Sequence, residues 1–232
     1  MNAQRYIEPL VQESTPSIIA DKLRQAISHG ELPAGMQLGE AELARQLGVS
    51  RGPLREGLQR LTQEGLLVAV RNRGVFVIEM TPENVRDMYL ARGAVERTAA
   101  AQIFLHEPTA AAEKLLSVIS DMAAAAESGD VSGVTQADIA LHELLVSLAR
   151  SPRLTRMHKT LLTETQMCIH ALEQTYANVD VRVDEHLAIA EAFGAQDPSL
   201  CDRLLVAHMD DAVERLTAAN AHVQATPTPP GS

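Results

Sequence analysis

Residues 40–65 contain two short helical patterns joined by a tight turn, and this spacing restricts the fold more than any other part of the chain. The first helix is predicted over 40–46 and is followed by Gly48, since glycine adopts the left-handed conformation of a helix C-cap without steric cost. The second helix begins after Ser50, a typical N-cap residue, with Pro53 in its first turn, where a missing amide donor costs little. Two helices connected this closely are typical of a helix-turn-helix.

The neighbouring segments complete a small domain around these two helices. A further helix is predicted before them, and two strand-like segments, 66–70 and 75–78, follow. The segment Arg71-Asn72-Arg73-Gly74 has the composition of a hairpin tip. Three helices followed by a hairpin predict a winged helix-turn-helix over residues 14–79, with residues 1–13 as a flexible arm.

Residues 82–220 are predicted to be entirely helical, because apolar residues recur at helical spacing and no convincing strand interrupts them. The six segments are 83–105, 109–127, 130–149, 152–176, 182–194 and 198–219. Connections of a few residues favour antiparallel neighbours. The predicted fold class is therefore mainly α, a winged helix-turn-helix followed by an antiparallel helical bundle, with a flexible proline-rich end over 221–232.

The net charge of -10 is distributed unevenly along the chain. Residues 1–80 hold nine basic and nine acidic side chains, whereas residues 81–232 hold eleven and twenty-one. Between Arg45 and Arg73 there are six arginines and two glutamates. A local basic patch of this kind neutralises phosphates while an acidic second domain stays off the DNA. The acidic balance therefore does not exclude nucleic acid as a partner.

The composition also indicates the cell compartment of the protein and the kind of nucleic acid that it binds. No apolar run approaches the roughly 18 residues that span a bilayer, and no signal-peptide pattern opens the chain. Cys168 and Cys201 have no paired spacing and lie among apolar residues, which predicts small core residues of a cytoplasmic protein. Aromatic residues are only 3% of the chain and tryptophan is absent, so readout of double-stranded DNA is favoured over stacking on single strands.

Arg51 and Arg55 lie on one face of the second helix, opposite its apolar stripe. The N-terminal turns of such a helix enter the major groove, where guanidinium groups suit guanine edges and phosphate oxygens. Ser50 and the first-turn amides are predicted to hold a phosphate, and the wing 71–74 to touch the backbone or minor groove. The alternative is that these arginines only solvate a surface, but their coincidence with a helix-turn-helix pattern favours DNA binding.

A series of short motifs runs through this region: Glu42-Leu43-Ala44, Leu47-Gly48-Val49-Ser50-Arg51, Pro53-Leu54-Arg55-Glu56, Glu64-Gly65-Leu66 and Arg73-Gly74. Together they make residues 29–78 resemble the GntR family of bacterial transcription regulators. The resemblance implies operator contacts at Arg45, Arg51 and Arg55, with Arg73 and Gly74 in the wing. Gly52 stands where the family usually carries threonine, and Ala41 where some members carry arginine, so a changed operator preference is expected.

Four polar side chains interrupt the apolar stripes of three predicted helices. Asp138 and His142 are four apart in one helix, His186 lies in another and His208 in the last. Burying such groups singly is costly, and convergence on a shared divalent cation removes that cost. Imidazole with carboxylate suits Zn, Ni, Fe or Mn. The alternative is a separate hydrogen bond for each histidine, and periodicity alone does not exclude His158 as a further ligand.

Arg92 interrupts the apolar face of the helix predicted over 83–105, one turn before Glu96. The structural interpretation is an i,i+4 ion pair between these two residues. The functional interpretation is a fork for the carboxylate of an anionic effector. The sequence leaves open whether Glu96 or His158 contributes to a cavity here.

The motif Asp138-x-x-x-His142, the segment Glu185-His186-Leu187-Ala188-Ile189 and the pair Ala207-His208 carry a second resemblance. They make region 83–219 resemble the FCD ligand-binding domain of the FadR subfamily within GntR regulators. The resemblance implies a divalent metal, zinc first, at Asp138, His142, His186 and His208, without His158. It also implies a small organic acid as effector, with Arg92 as its binding residue, and a homodimer.

The sequence therefore predicts a cytoplasmic, homodimeric transcription regulator that binds a palindromic double-stranded DNA operator. A small organic acid bound at the metal site is expected to control operator affinity. Two alternatives stay open: a metal-dependent hydrolase-type enzyme, or a regulator whose metal is structural or is itself the signal. Against an enzyme, no general base stands out near the predicted ligands, no catalytic residue is predicted, and the DNA-binding domain would be left unexplained.

Overall fold

The structure is a computed structural model that describes residues 14–172 and 179–225, and these fall into two compact units. The first comprises 14–26 and 35–78, and the second comprises 27–34 with 79–172 and 179–225. Nine helices and three short strands are present among the described residues, so the predicted fold class is confirmed. The domain boundaries predicted from the sequence stay a prediction, and the arm predicted at 1–13 lies outside the described residues.

The N-terminal elements form a winged helix-turn-helix. Its helices are α1 (Thr15–Ser28), α2 (Glu40–Leu47) and α3 (Arg51–Gln63), and its strands are β1 (Gln37–Leu38), β2 (Leu67–Val70) and β3 (Gly74–Val77). The sheet is antiparallel with β3 in the middle, in the order β1-β3-β2, and Leu67 pairs with Val77. Strand β1 was not predicted, because two residues are too few to carry a periodic pattern.

The turn between α2 and α3 forms as the sequence predicts at one end and differs at the other. Gly48 has φ 64 and its N–H bonds back to the carbonyls of α2, so it is the left-handed C-cap. Ser50 occupies the N-cap position of α3 with φ -75 and ψ 160, but its side chain makes no capping hydrogen bond. The predicted cap bond is wrong. Of the two amides that a cap side chain can bond, N3 belongs to Pro53, which has no N–H, and the bond to N2, Gly52, is not formed.

Helices α1 and α3 both contribute buried residues to the core of the first unit. Leu54, Leu58 and Leu61 of α3 are buried, as the apolar stripe predicts. Gly57 lies on the same side, and a Cβ there would stand 2.9 Å from the Ile19 Cγ2 atom of α1. The two helices therefore approach closely because residue 57 has no side chain.

Six helices follow: α4 (Pro82–Phe104), α5 (Pro108–Glu127), α6 (Val131–Leu148), α7 (Pro152–Leu172), α8 (Val179–Gly194) and α9 (Pro198–Ala225). Thr81 caps α4 by accepting from the Asn84 amide at 3.2 Å. Helix α8 begins three residues earlier than predicted, and α9 continues beyond the predicted end at 219 into the segment expected to be flexible. Residues 173–178 and 226–232, which include the end predicted for α7 and most of the proline-rich tail, lie outside the described residues.

These six helices pack as a bundle in which α4 contacts α6, α7 and α9, α5 contacts α6 and α8, and α8 contacts α9. Leu115, Leu141 and Phe193 belong to one apolar cluster, and the Phe193 ring stacks on Phe104 with centroids 4.8 Å apart. Within the described part of the chain, no helix is both long enough and apolar enough to span a membrane. The bundle brings α4, α6, α8 and α9 around one buried polar cluster.

Candidate metal centre and nucleic-acid interface

The four residues predicted as ligands lie together in the helical unit. Asp138 and His142 come from α6, His186 from α8 and His208 from α9; all four are buried, and their ligand atoms lie within 4.8 Å of one another. The Asp138 Oδ1 atom is 2.9 Å from His186 Nε2 and 3.6 Å from His142 Nε2. His142 Nε2 is 3.1 Å from His186 Nε2 and 3.2 Å from His208 Nε2.

The separations of 2.9, 3.1 and 3.2 Å are close to those of neighbouring ligands around one metal ion, and the 3.6 Å between Asp138 Oδ1 and His142 Nε2 is slightly longer. Two atoms bound to the same ion at about 2.1 Å, at angles between about 90° and 110°, lie about 3.0 to 3.4 Å apart. The donor set of three imidazoles and one carboxylate is also a common one for a divalent transition metal. The residues present therefore fit a divalent cation.

Each histidine of the cluster is anchored through its Nδ1 atom. The acceptors are Glu96 Oε2 for His142 (2.9 Å), the Arg182 carbonyl for His186 (2.6 Å) and Glu185 Oε2 for His208 (2.9 Å). An imidazole that donates from Nδ1 and is neutral keeps its lone pair on Nε2. Three Nε2 lone pairs and a carboxylate then lie close together in a buried space, where they repel one another. A shared cation removes this repulsion because all four groups can coordinate it.

The charges around Asp138 and His208 favour metal binding, whereas those around His142 favour its protonated form. Burial acts to raise the pKa of Asp138, but the contacts with the His142 and His186 rings outweigh burial and hold this pKa well below its ordinary value. Burial, followed by His186 and His142, holds the pKa of His208 well below its ordinary value. Burial also acts to lower the pKa of His142, but Glu96 and Asp138 raise it overall. An ionised carboxylate and a neutral imidazole are the forms that coordinate a metal.

Glu96 and His158 form a layer outside the ligands. The Glu96 side chain is completely buried and its Oε1 atom accepts from Arg92 Nε at 2.6 Å and from His158 Nε2 at 2.8 Å. Burial acts to raise the pKa of Glu96, but Arg92 and His142 hold it well below its ordinary value. His158 is not among the residues that converge as ligands in the described chain. The sequence left open whether Glu96 and His158 contribute to the site. Both lie next to the site, but neither is among the converging ligand residues.

Arg92 forms the ion pair with Glu96 that the structural interpretation expected. Its Nη1 atom lies 3.4 Å from Thr165 Oγ1. Its Nη2 atom is buried and has no hydrogen-bond partner among the described residues. One nitrogen of the guanidinium is therefore left for a group that the described chain does not supply.

Two outer partners were missed from the sequence. Glu185 precedes His186 in α8, yet it bonds His208 of α9 and Arg215 of the same helix, at 3.1 Å for the Arg215 Nη2 atom. Arg182 serves through its carbonyl, which any residue possesses. Helical periodicity assigns a residue to a face but not to a partner on another helix, so the sequence carries no signal for these two contacts.

The predicted DNA-reading side chains of α2 and α3 are exposed. Arg45 is paired with Glu42 at 2.5 Å, and Arg55 with Glu40 at 2.7 Å, while Arg51 is exposed at the first position of α3. Exposed ion pairs contribute little to stability, so phosphate oxygens compete easily with these carboxylates. Arg45, Arg51 and Arg55 are thus accessible for contact with DNA.

Gly74 in the wing has a positive φ, whereas Gly52 at the start of α3 is helical. Gly74 begins β3 with φ 102, and the Arg73 guanidinium lies 5.6 Å from the centre of the Phe76 ring. Gly52 is exposed, and a Cβ there would meet nothing within 4 Å. Packing inside the protein therefore does not require glycine at position 52.

Two families match the chain. Residues 17–77 match the family described as bacterial regulatory proteins, gntR family, and residues 87–211 match the FCD domain. The chain is 34% identical over 131 residues to the HTH-type transcriptional regulator in the TAR-I ttuE-ttuC' intergenic region of Agrobacterium vitis, covering 55% of this chain and 76% of that protein. It is 28% identical over 220 residues to the probable D-xylose utilization operon transcriptional repressor of Paenarthrobacter nicotinovorans, covering 93% and 95%.

Solved structures show the same fold. A GntR transcriptional regulator from Rhodococcus sp. RHA1 superposes with a TM-score of 0.74 at 26% identity, covering 89% of this chain and 99% of that one. E. coli McbR/YncC superposes with a TM-score of 0.76 at 21% identity, covering 90% and 100%, and supports the fold alone.

The DNA-reading helices and the helical unit with its buried cluster define a transcription regulator with a separate ligand-binding domain. The chain belongs to the GntR family of bacterial transcription regulators and carries an FCD domain. The matched families and the relatives named here are regulators, not enzymes, so the hydrolase alternative has no support among them.

Proposed function

We propose that this chain is a cytoplasmic, homodimeric regulator of the FadR subfamily whose affinity for a palindromic operator is controlled by a small organic acid at a metal site. The observation that carries the proposal is the convergence of Asp138 Oδ1 with the Nε2 atoms of His142, His186 and His208, each imidazole being anchored through Nδ1. Residues 14–79 are the proposed DNA-binding domain and residues 82–220 the proposed effector and dimerisation domain.

Zinc is the first candidate for the metal, with nickel, iron and manganese as alternatives, because three imidazoles and one carboxylate suit all four. When bound, such a cation supplies a Lewis acid that accepts an oxygen of the effector. The four protein ligands orient this site through their outer partners, Glu96 and Glu185 among them, and burial of the cluster excludes bulk water.

Arg92 is the proposed binding residue for the effector's carboxylate. A buried guanidinium N–H without a partner is unfavourable, and a carboxylate would supply the missing acceptor. Arg92 and His142 donate to the same carboxylate, that of Glu96. Only the Glu96 side chain therefore stands between the Arg92 guanidinium, with its unpartnered Nη2 atom, and the proposed metal ligand His142. An acid that reaches both Arg92 and the metal fits this arrangement.

The proposed operator contacts are the side chains of Arg45, Arg51, Arg55 and Arg73, with Ser50 and Gly52 at the start of α3 and Gly74 in the wing. Exposure of these residues supports the assignment. The Ser50 hydroxyl makes no capping bond within α3, which leaves it available to a phosphate at the N-terminus of this helix. In the bound state the arginines exchange Glu40 and Glu42 for phosphates or base edges.

The proposed dimer surface is the α4–α9 groove, a cavity of about 410 Å³. Its apolar lining comes from both helices and consists of Tyr89, Leu90, Gly93, Ala94, Val206, Met209 and Val213. Arg86 lies along its α4 side and Asp210 along its α9 side, while Arg97 of the lining is already paired with Asp202 of the same chain. A second copy is the proposed occupant, because a two-fold axis parallel to the helices brings the basic side of each copy to the acidic side of the other.

The test compares metal-stripped and zinc-reloaded protein by thermal shift and by fluorescence-polarisation binding to operator DNA, with a panel of small carboxylates. Zinc at about 100 times its Kd is expected to stabilise the protein by about 2.7 kcal/mol, and a matching acid to add to this only in the loaded form. His142→Ala removes both increments, and Arg92→Ala removes only that of the acid. His106→Ala, an exposed histidine, is the matched control and retains both.

The remaining outcomes contradict the proposal in distinct ways. Unfolding of the helical unit on removal of zinc would make the metal structural. A change in operator affinity with zinc alone would make the metal the signal. Turnover of a carboxylate or ester substrate that disappears in His142→Ala would make the protein an enzyme.

A further inference from the structure

Glu96 is the most completely enclosed charged side chain near the cluster, with no exposed surface. Three donors share its two oxygens: Arg92 Nε and His158 Nε2 at Oε1, and His142 Nδ1 at Oε2. The donors come from three helices, α4, α7 and α6. A single carboxylate thus links the proposed effector residue, a histidine outside the cluster and a histidine inside it.

The contact with His142 determines which nitrogen of that ring faces the cluster with a lone pair. An ionised carboxylate only accepts hydrogen bonds, so the Nδ1 atom at 2.9 Å from Glu96 Oε2 must carry the hydrogen. The other nitrogen, Nε2, lies 3.1 and 3.2 Å from the Nε2 atoms of His186 and His208. A neutral ring held this way presents a lone pair to a metal, whereas the opposite tautomer presents an N–H.

Resting on the metal site proposed above, we infer that Glu96 is a positioning residue that holds His142 in its metal-binding tautomer and orientation. Glu96 is not a ligand: both of its oxygens are used by Arg92, His142 and His158. Its role toward His142 corresponds to that of Glu185 toward His208, but Glu96 is fully buried and Glu185 is partly exposed.

His158 provides the matched control because it touches the same carboxylate from the other side. Its Nε2 atom bonds Glu96 Oε1, and it is outside the set of converging ligand atoms in the described chain. Replacing His158 removes one donor from Glu96 but leaves the bond to His142 in place. Replacing Glu96 by glutamine keeps the shape of the side chain and puts an NH₂ group within reach of His142 Nδ1. This donor favours the opposite tautomer of the His142 ring, with its hydrogen on Nε2.

The first experiment measures the Kd for zinc alone, by competition with a chromophoric chelator, on full-length protein. Glu96→Gln is expected to weaken binding about 10- to 100-fold, the usual effect of removing an outer partner of a metal ligand. His158→Gln is expected to change the Kd by less than about threefold. An unchanged Kd in Glu96→Gln, or an equal loss in both variants, would overturn the positioning role.

The second measurement does not depend on metal. Long-range ¹H–¹⁵N spectra of the metal-free protein report which imidazole nitrogens carry hydrogen. We expect a hydrogen on His142 Nδ1 in the native protein and its loss from Nδ1 in Glu96→Gln. If the native protein binds no zinc, the proposed function fails while this spectrum still decides the role of Glu96. A native His142 with no hydrogen on Nδ1 would overturn the inference whatever the metal affinity.

A further control distinguishes the effect of Glu96 on the position of His142 from the effect of losing the Arg92–Glu96 ion pair on stability. Glu96→Gln leaves the buried Arg92 guanidinium without its carboxylate, which by itself destabilises the protein. The double variant Arg92→Met with Glu96→Met removes both charges and also the oxygen that accepts from His142 Nδ1. It is expected to fold and to lose at least as much zinc affinity as Glu96→Gln, because residue 96 no longer carries an acceptor for His142. Native zinc affinity in the folded double variant would contradict the role of Glu96.

Discussion

Glu164 is a buried carboxyl group whose ionisation opposes folding. It lies on α7, and burial, together with Asp87 of α4, raises its pKa to about 7. The folded protein therefore keeps this proton at pH values where the unfolded chain, with an ordinary carboxyl pKa, has lost it. The stability that Glu164 contributes is fully present below about pH 4.5 and is lost as the pH rises through about 7.

The variant Glu164→Gln is expected to remove this pH dependence. At pH 8 it should unfold at higher denaturant concentration than the native protein, by about 1 to 3 kcal/mol in the free energy of unfolding, and near pH 4.5 the two should be equal. Urea titrations of metal-stripped protein across this pH range measure the difference. Asp87→Asn should give a smaller effect of the same sign, and parallel pH profiles of native and Glu164→Gln protein would disprove the explanation.

The proposed ligand residues could be predicted one by one because each interrupts an apolar helical stripe. Asp138, His142, His186 and His208 are buried in the structure, as their positions on those stripes require. Their partners could not be predicted in the same way. Glu185 lies on α8 beside one ligand and bonds another on α9, and such a contact depends on how two helices pack rather than on sequence spacing.

Two glycines in α3 differ in whether packing between helices requires them. A Cβ at Gly57 would lie 2.9 Å from Ile19 Cγ2 and 3.2 Å from the Pro16 carbonyl oxygen, whereas a Cβ at Gly52 would meet nothing within 4 Å. Backbone atoms do not move aside as a flexible side chain does. Gly57 therefore sets the distance between α1 and α3, and Gly52 does not take part in packing.

Gly57→Ala and Gly52→Ala are a matched pair for testing this difference. Gly57→Ala is expected to destabilise the protein by about 1 to 3 kcal/mol, because it forces α1 and α3 apart. Gly52→Ala is expected to be neutral or to stabilise by up to about 1 kcal/mol, because alanine restricts the unfolded chain more than glycine does. Thermal unfolding followed by circular dichroism measures both, and equal effects would contradict the packing role of Gly57.

The start of α3 also shows where prediction of elements succeeds and where it stops. Gly48 forms the predicted left-handed cap, because few residues other than glycine adopt φ 64 without strain. Ser50 occupies the predicted N-cap position, yet its side chain makes no capping bond: the residue three positions later is a proline without an N–H, and the side chain does not bond the Gly52 amide either. Strand β1 was missed for a different reason, since two residues form it only through pairing with β3.

Charge and function are divided between the N-terminal and C-terminal parts of the chain. The basic arginines lie in the region that matches the gntR family, and the acidic excess lies in the part that contains the FCD domain. This division lets an acidic protein bind a polyanion. A regulator that reads a palindrome needs two copies of its basic surface, so the oligomeric state decides the strength of operator binding.

Leu90 is the residue on which the proposed dimer can be tested. It is 74% exposed on α4 within the α4–α9 groove, and Leu105, just after the end of the same helix, is 71% exposed but does not line that groove. Leu90→Arg places a charge where a second copy would bury leucine, so it is expected to convert a dimer to a monomer. Leu105→Arg changes the same residue type at similar exposure and should remain dimeric.

Light scattering coupled to gel filtration measures the mass of both variants, and polarisation assays measure their affinity for a palindromic operator. A monomeric Leu90→Arg is expected to bind the operator about 100-fold or more weakly, because the second half-site no longer contributes through a tethered partner. Its α-helical content should be native, since Leu90 contributes little to the core of its own chain. A dimeric Leu90→Arg with native operator affinity would place the interface elsewhere, and a monomeric native protein would exclude the homodimer altogether.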